Sequence, residues 1–196
     1  MDEFSNPPVV VLKQRRTVFE NSKFLVHADH ISDAAGREVL DYLVVAPRIH
    51  TDALITGVTV LPVVDRRIVL NKTFRHAVRS FVLETARGFV DPSETPAEAA
   101  LRELTEETGL VCSPDRLVAM GTCFPEASTL QARVALFAAL DCARGPRTDH
   151  SEVGLGESVS FSLEEAESLL QDMALEDVTT LLCLHRFFLM RESGLL

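Results

Sequence analysis

The chain has 196 residues and carries 29 Asp and Glu against 19 Lys and Arg, a formal charge of -10, with 46% hydrophobic and 24% charged residues. This is the make-up of a globular protein with room for one ample domain and a buried core. The acidic balance argues against a nucleic-acid partner, since binding a phosphate backbone needs clustered Lys and Arg.

The first ten residues, MDEFSNPPVV, lack the basic and then apolar pattern of a secretion signal. No stretch approaches the roughly 18 apolar residues that cross a bilayer, so no membrane partner is expected. Apolar-rich runs around 17–19, 24–30 and 38–45 predict three short strands, with Asp33-Ala34-Ala35-Gly36 as a hairpin connection. These form an N-terminal meander over residues 1–50, followed by the main domain over 51–196. ALITGVTVLPVV and RIVLNKTF are rich in β-branched residues and predict two more strands around an Asp65-Arg66-Arg67 turn. A further strand is expected at RSFVLETARG.

The next segment predicts a helix. Thr95 suits the N-cap, Pro96 the first helical position, and Glu98 completes a capping box. Ala97, Ala100, Leu101, Leu104 and Thr108 recur at helical spacing as a core-facing stripe, and Gly109 sits where a left-handed cap ends the helix. RLVAMGTCF and QARVALFAALDC follow as strands. Residues 143–157 form a polar, glycine-rich loop, SVSFSL a strand, and LEEAESLLQDM a helix capped by Ser162. DVTTLLCLHRFFLM closes the pattern as an apolar helix. The mixed order predicts an α+β fold, an α/β/α sandwich with a mixed sheet between helices and a small antiparallel sheet at the N-terminus. The four cysteines include no CxxC pair, which predicts reduced thiols in a cytoplasmic protein, and Cys112 and Cys123 are expected to fill small apolar sites in strands.

On the helix, Glu103, Glu106 and Glu107 share a face, and like charges a turn or less apart repel unless a cation neutralises them. Hard divalent cations prefer oxygen ligands, and Mg²⁺ is usually shared between carboxylates and substrate phosphates. Glu84 stands in an otherwise apolar strand, where a carboxylate is costly unless it is paired.

Gly88, Glu94 and the run Arg102-Glu103-Leu104-Thr105-Glu106-Glu107-Thr108-Gly109-Leu110 match the Nudix box at its nine specified positions. The chain thus resembles the Nudix hydrolases. The stretch NKTFRHAVRSFVLETARGF is similar to the one that precedes the box in ADP-ribose and nucleoside-diphosphate-sugar pyrophosphatases. That resemblance implies Mg²⁺ or Mn²⁺ as cofactor, held chiefly by Glu103 and Glu107 with Glu106 in support. The Arg87 carbonyl and Glu84 would be further metal ligands. Arg102 would orient a glutamate and Glu94 would steady the loop.

By the same similarity Arg75, Glu84 and Arg87 would contact substrate. Glu157 would serve as general base from the loop after residue 143, with Glu152 as the alternative. Pro125 matches a proline found in ADP-ribose-type members. The implied reaction is hydrolysis of a nucleoside diphosphate sugar to a nucleoside monophosphate and a sugar phosphate. The implied assembly is a homodimer built through the N-terminal strands. Dinucleoside polyphosphates, oxidised nucleoside triphosphates and a non-catalytic nucleotide-sensing module are the alternatives. Ala86 and Arg87 depart from the usual proline and alanine before the box, and Lys72 and Thr73 replace an expected glutamine. No tryptophan is present, so an aromatic clamp for the base must come from Phe19, Phe74, Tyr42 or another phenylalanine.

Overall fold

The computed structural model describes residues 9–49, 53–145 and 153–196. The first three strands are β1 (Val10–Glu20), β2 (Phe24–Asp33) and β3 (Glu38–Pro47), a separate three-stranded antiparallel sheet. The Asp33 carboxylate closes the β2–β3 turn by accepting from the Ala35 and Arg37 amides, and Gly36 takes the left-handed conformation there at φ 79°.

The larger sheet is built on β4 (Ile55–Val64) and β5 (Arg67–Arg75), with β9 (Leu117–Cys123), β10 (Arg133–Ala139) and β12 (Leu155–Ser162) completing the order β12-β5-β4-β10-β9. Among the described strands of this sheet, β4 and β10 are the neighbours that pair parallel, and each can be apolar on both sides because helices cover both faces. Val58 and Val60 of β4 and Ala135, Phe137 and Ala139 of β10 pack toward α1 (Pro96–Thr108) with Ala99, Ala100 and Leu104. The alternate residues Leu61, Val63, Leu136 and Ala138 pack toward α2 (Leu163–Gln171) and α3 (Val178–Glu192) with Ala166, Leu184 and Phe187. A period of two along each strand therefore feeds two cores, giving the α/β/α layering. The strands β8 (Leu110–Val111) and β11 (Ala143–Arg144) form a two-residue ladder after α1.

The stretch RSFVLETARG is two strands rather than one. In β6 (Ser80–Glu84), Glu84 pairs with Asn71 of β5; in β7 (Ala86–Phe89), Ala86 pairs with Val60 of β4. The chain changes partner at Thr85, and its amide there is satisfied by the Thr180 hydroxyl of α3 at 3.0 Å. Thr59, Thr85 and Thr180 hydroxyls meet in the interior, so the break costs no unpaired donor.

Helix α1 carries the full capping box between Thr95 and Glu98 and ends on Gly109 at φ 66°. Its buried stripe is Ala99, Ala100, Glu103 and Leu104, whereas Ala97 is exposed and Leu101 and Thr108 are half-buried. The helix turns a carboxylate inward because glycine at 88 leaves room for it. A Cβ built there would lie 1.9 Å from Glu103 Oε1. The segment read as a loop to residue 157 is partly strand, because β12 begins at Leu155. Cys112 follows β8 and Cys123 ends β9, both half-buried.

Candidate active site

A cavity of about 1000 Å³ opens beside α1. Arg102, Glu103, Glu106 and Glu107 form one wall, Arg75 and the Arg87–Phe89 strand another, and Lys23 and Phe24 of the β1–β2 turn a third. Pro125 also lines it. A second cavity of about 370 Å³, lined by Tyr42, Arg15 and Phe124, contains none of the box residues.

Arg102 organises the acidic face. Its Nε and Nη2 grip Glu94 at 2.7 and 3.0 Å, its Nη1 donates to Glu103 at 2.7 Å and to Glu106 at 3.0 Å, and its Nη2 reaches the Phe89 carbonyl at 2.9 Å. All five guanidinium donors are thus used by acceptors from the box loop and the box helix. The bond from Glu94, reinforced by Glu103 and Glu106 against the cost of burial, holds Arg102 well above the ordinary arginine value. The same Arg102 bond holds Glu94 below the usual carboxylate range.

Glu107 is tethered differently. Its Oε2 accepts from the side-chain amide of Asn71 at 3.2 Å and from the Arg87 backbone amide at 3.1 Å. Asn71 is itself held by Ser158, whose hydroxyl donates to it at 2.8 Å across the β12–β5 pair. Neither Asn71 nor Ser158 is a residue the sequence reading singled out. The one local signal was a fully polar amide in a strand otherwise rich in β-branched residues.

Glu84 is buried, as its apolar surroundings in the sequence require, and arginines pair it on both sides. Arg75 forks onto both its oxygens through Nε and Nη2 at 2.6–3.0 Å, and Arg87 Nη2 lies 2.9 Å from Oε1. Arg87 Nη2 is also 2.9 Å from Asp177, and its Nη1 donates to Thr179 at 3.3 Å. Burial acts to raise Asp177, but Arg87 and hydrogen bonds from Thr180 and Thr179 outweigh it and hold the carboxyl low. The first turn of α3 therefore docks on the strand that precedes the box glycine. Asp177 and Thr179 were not anticipated; D-V-T-T is legible only as a helix cap.

The structure brings Glu103, Glu106, Glu107, Arg102, Arg75 and Arg87 to one cavity, with Glu84 directly behind the two arginines. It does not bring Glu157 there. That residue is exposed within an irregularity of β12 and does not line the cavity. Glu152 lies outside the described residues. Phe24 and Phe89 line the cavity as an edge-to-face pair 5.7 Å apart, with Lys23 Nζ 5.3 Å from the Phe89 ring centre. Phe19 is exposed on β1, and Phe74 pairs with Phe81 outside this cavity.

Among the described residues no three His, Cys, Asp or Glu side chains form a ready-made metal cage. Glu103 and Glu106 nonetheless converge on one positively charged nitrogen of Arg102. This set of carboxylate oxygens suits a hard divalent cation that completes its shell with water and substrate phosphate, the ordinary habit of Mg²⁺, rather than one enclosed by protein.

The same chain shows resemblances to known proteins. A stretch is 43% identical over 68 residues to the ADP-sugar pyrophosphatase of Mus musculus, covering 30% of this chain and 31% of that protein. Another match, 38% identical over 53 residues, is to the ADP compounds hydrolase NudE of Escherichia coli (strain K12), covering 27% of this chain and 28% of that protein. The matched stretches thus span less than a third of either relative's length. A crystal structure of ADP compounds hydrolase superposes with a TM-score of 0.78 over 97% of this chain and 99% of that one, at 21% identity, a likeness of fold. Residues 53–180 match the family pattern described as the NUDIX domain, which covers well over half the chain and includes the whole glycine-to-glycine helix segment described above. The chain belongs to the Nudix family.

Proposed function

We propose that the protein is a Nudix pyrophosphohydrolase, dependent on Mg²⁺ or Mn²⁺, that cleaves the diphosphate of ADP-ribose or a related nucleoside diphosphate sugar. The products are a nucleoside monophosphate and a sugar phosphate. One observation carries this reading: Glu103, Glu106 and Glu107 share a single cavity with Arg75, Arg87 and an aromatic pair. A nucleoside diphosphate sugar needs those three elements, for cation, phosphate and base respectively. The names of the two partial relatives, an ADP-sugar pyrophosphatase and an ADP compounds hydrolase, support the substrate class.

In this reading Glu103 and Glu107 are the principal ligands of the cation, with Glu106 and the Arg87 carbonyl in support; Glu84, expected as a further ligand, is held by Arg75 and Arg87 behind the cavity wall and positions those arginines instead. The cation, when bound, supplies Lewis-acid polarisation of the diphosphate and a more nucleophilic water. Arg102 holds Glu103 and Glu106 in place, and Asn71 orients Glu107. Arg75 and Arg87 face the diphosphate, and Phe24 and Phe89 offer the apolar wall for the base. Proton removal falls to a carboxylate of the cavity wall, since Glu157 stands outside the cavity.

The protein works as a cytoplasmic homodimer. The N-terminal sheet exposes Val18, Phe19, Leu40 and Leu43, apolar surface available to a second copy.

The test is product analysis with purified protein and Mg²⁺ or Mn²⁺. The expected outcome is AMP and a sugar phosphate from ADP-ribose, with Glu107→Gln slower by on the order of 100-fold. A panel of ADP-glucose, GDP-mannose, diadenosine polyphosphates and nucleoside triphosphates ranks the substrates. Tight nucleotide binding with no product from any of them would replace this reading with a sensing module.

A further inference from the structure

Helix α1 runs through Gly109 into β8, and the short β8–β11 ladder pairs Val111 with Ala143 and Leu110 with Arg144. The same antiparallel register, extended by one residue, sets Cys112 opposite Cys142. The two thiols are close enough to perturb each other's acidity. Opposed residues of an antiparallel pair have Cα atoms roughly 4.5–5.5 Å apart. That falls inside the span of about 4.4–6.8 Å that a disulfide tolerates.

Both sulfurs are anchored in place. Cys112 Sγ is 3.4 Å from the Leu140 carbonyl and Cys142 Sγ is 3.2 Å from that of Ala139. The Cys142 amide is bonded to Val63 of β4 at 2.9 Å, and the Gly145 amide to Gly109 at 2.9 Å. The framework around the pair is therefore fixed from both sides. Cys112 is half-buried, while Cys142 is only 6% exposed. Cys112 is thus the more accessible residue of the two.

We propose that Cys112 and Cys142 are a dithiol modification site that closes to an intramolecular disulfide when the protein meets a low-molecular-weight disulfide such as oxidised glutathione. In the first step the Cys112 sulfur, having lost its proton, attacks one sulfur of glutathione disulfide. A mixed disulfide forms and one glutathione thiolate leaves and takes up a proton. In the second step the Cys142 sulfur attacks the Cys112 sulfur, the mixed disulfide breaks, and a second glutathione leaves with the remaining proton. Two protein thiols are oxidised and one glutathione disulfide is reduced to two thiols. Burial pushes both cysteines up, Cys142 to about 12. The exchange is therefore slow at neutral pH, proceeding over hours. The bond would staple the chain just after the box helix to the strand end at 142.

The experiment incubates the full-length protein with oxidised glutathione, then counts thiols in denaturant and maps peptides without reduction. The expected result is a fall from four titratable thiols to two, with a Cys112–Cys142 linked peptide. The melting temperature should rise on the order of 5 °C and return on reduction. Cys112→Ser should keep its three remaining thiols through the same treatment, whereas Cys123→Ser should still lose two. A stable glutathione adduct on Cys112, a Cys123–Cys183 bond, or unchanged thiols in the wild type would each overturn the proposal.

Discussion

Replacing Gly88 with alanine tests how the box loop and the box helix constrain each other. The new methyl would lie 1.9 Å from Glu103 Oε1 and 2.5 Å from Oε2. Since no such contact is tolerated, either β7 must move off α1 or Glu103 must swing away. The strand is held by its pairing with β4, Gly88 opposite Val58, so the side chain gives way. Glu103 then loses its 2.7 Å bond to Arg102, a charge-assisted contact between side chains only 28% and 12% exposed. A hydrogen bond of that kind contributes about 1.5–3 kcal/mol. The variant should therefore lose about 2 kcal/mol, a fall of roughly 4–8 °C in melting temperature for a chain of this size. Urea unfolding of the wild type, Gly88→Ala, Glu103→Ala and the double variant reads the coupling directly. In the Glu103→Ala background the Gly88 substitution should cost almost nothing. An equal cost in both backgrounds would show that the glycine serves the backbone and not the carboxylate, refuting the steric argument.

Asp177→Asn should keep its cap on α3 but lose the charge that faces Arg87. Urea midpoints should show a loss of about 2 kcal/mol, less than the 3–5 kcal/mol of a fully broken buried pair because Glu84 still holds the guanidinium. Asp177→Ala should cost about 1 kcal/mol more, the contribution of the cap. If the two variants are equally stable, the cap is idle. Glu94→Gln tests the other arginine. A carboxyl held low in the folded state stabilises it above the unfolded-state value of about 4.3 and stops doing so as pH falls through the folded value. The variant should therefore unfold at lower urea than the wild type at pH 7. The gap should narrow once pH drops below about 4; a gap that does not change with pH would place the effect elsewhere than in the ion pair.

Much of this site was legible because its rules are local. The capping box, the glycine that ends α1 and the spacing of Arg102 with Glu106 all operate within a few residues, so a linear pattern reports them. Glu84 was legible for another reason: a lone carboxylate in an apolar strand demands a partner, although the pattern alone does not say that Arg87 is one of two. What stayed hidden depends on pairs far apart in the chain. Thr85 breaks its strand because Thr180, 95 residues on, supplies the acceptor for its amide. Arg87 is oriented by Thr179, 92 residues away, and the tether on Glu107 runs through Asn71 to Ser158, 87 residues further. The inward turn of Glu103 also overrides simple hydrophobic periodicity, which had favoured Ala97 and Leu101.

The box positions divide into those that build the cradle and those that occupy it. Gly88 is there for absence, since any side chain would take the space of the Glu103 carboxylate. Arg102 is there for its fork. Its acceptors are Glu94 in the loop, Glu103 and Glu106 on the helix, and the Phe89 carbonyl on the strand, spread around one plane. A lysine offers three donors from a single point and could not span them. Glu94 earns its place by closing the loop onto that fork, and the same residue accepts the Asp91 amide at 3.2 Å, so the turn before the helix is fixed as well. Gly109 ends the helix in a conformation that leads straight into β8. With loop, strand and helix locked by one guanidinium, the glutamates of α1 keep their positions before any substrate or cation arrives. That preorganisation is the physical reason a cluster of like charges can persist on a single short helix.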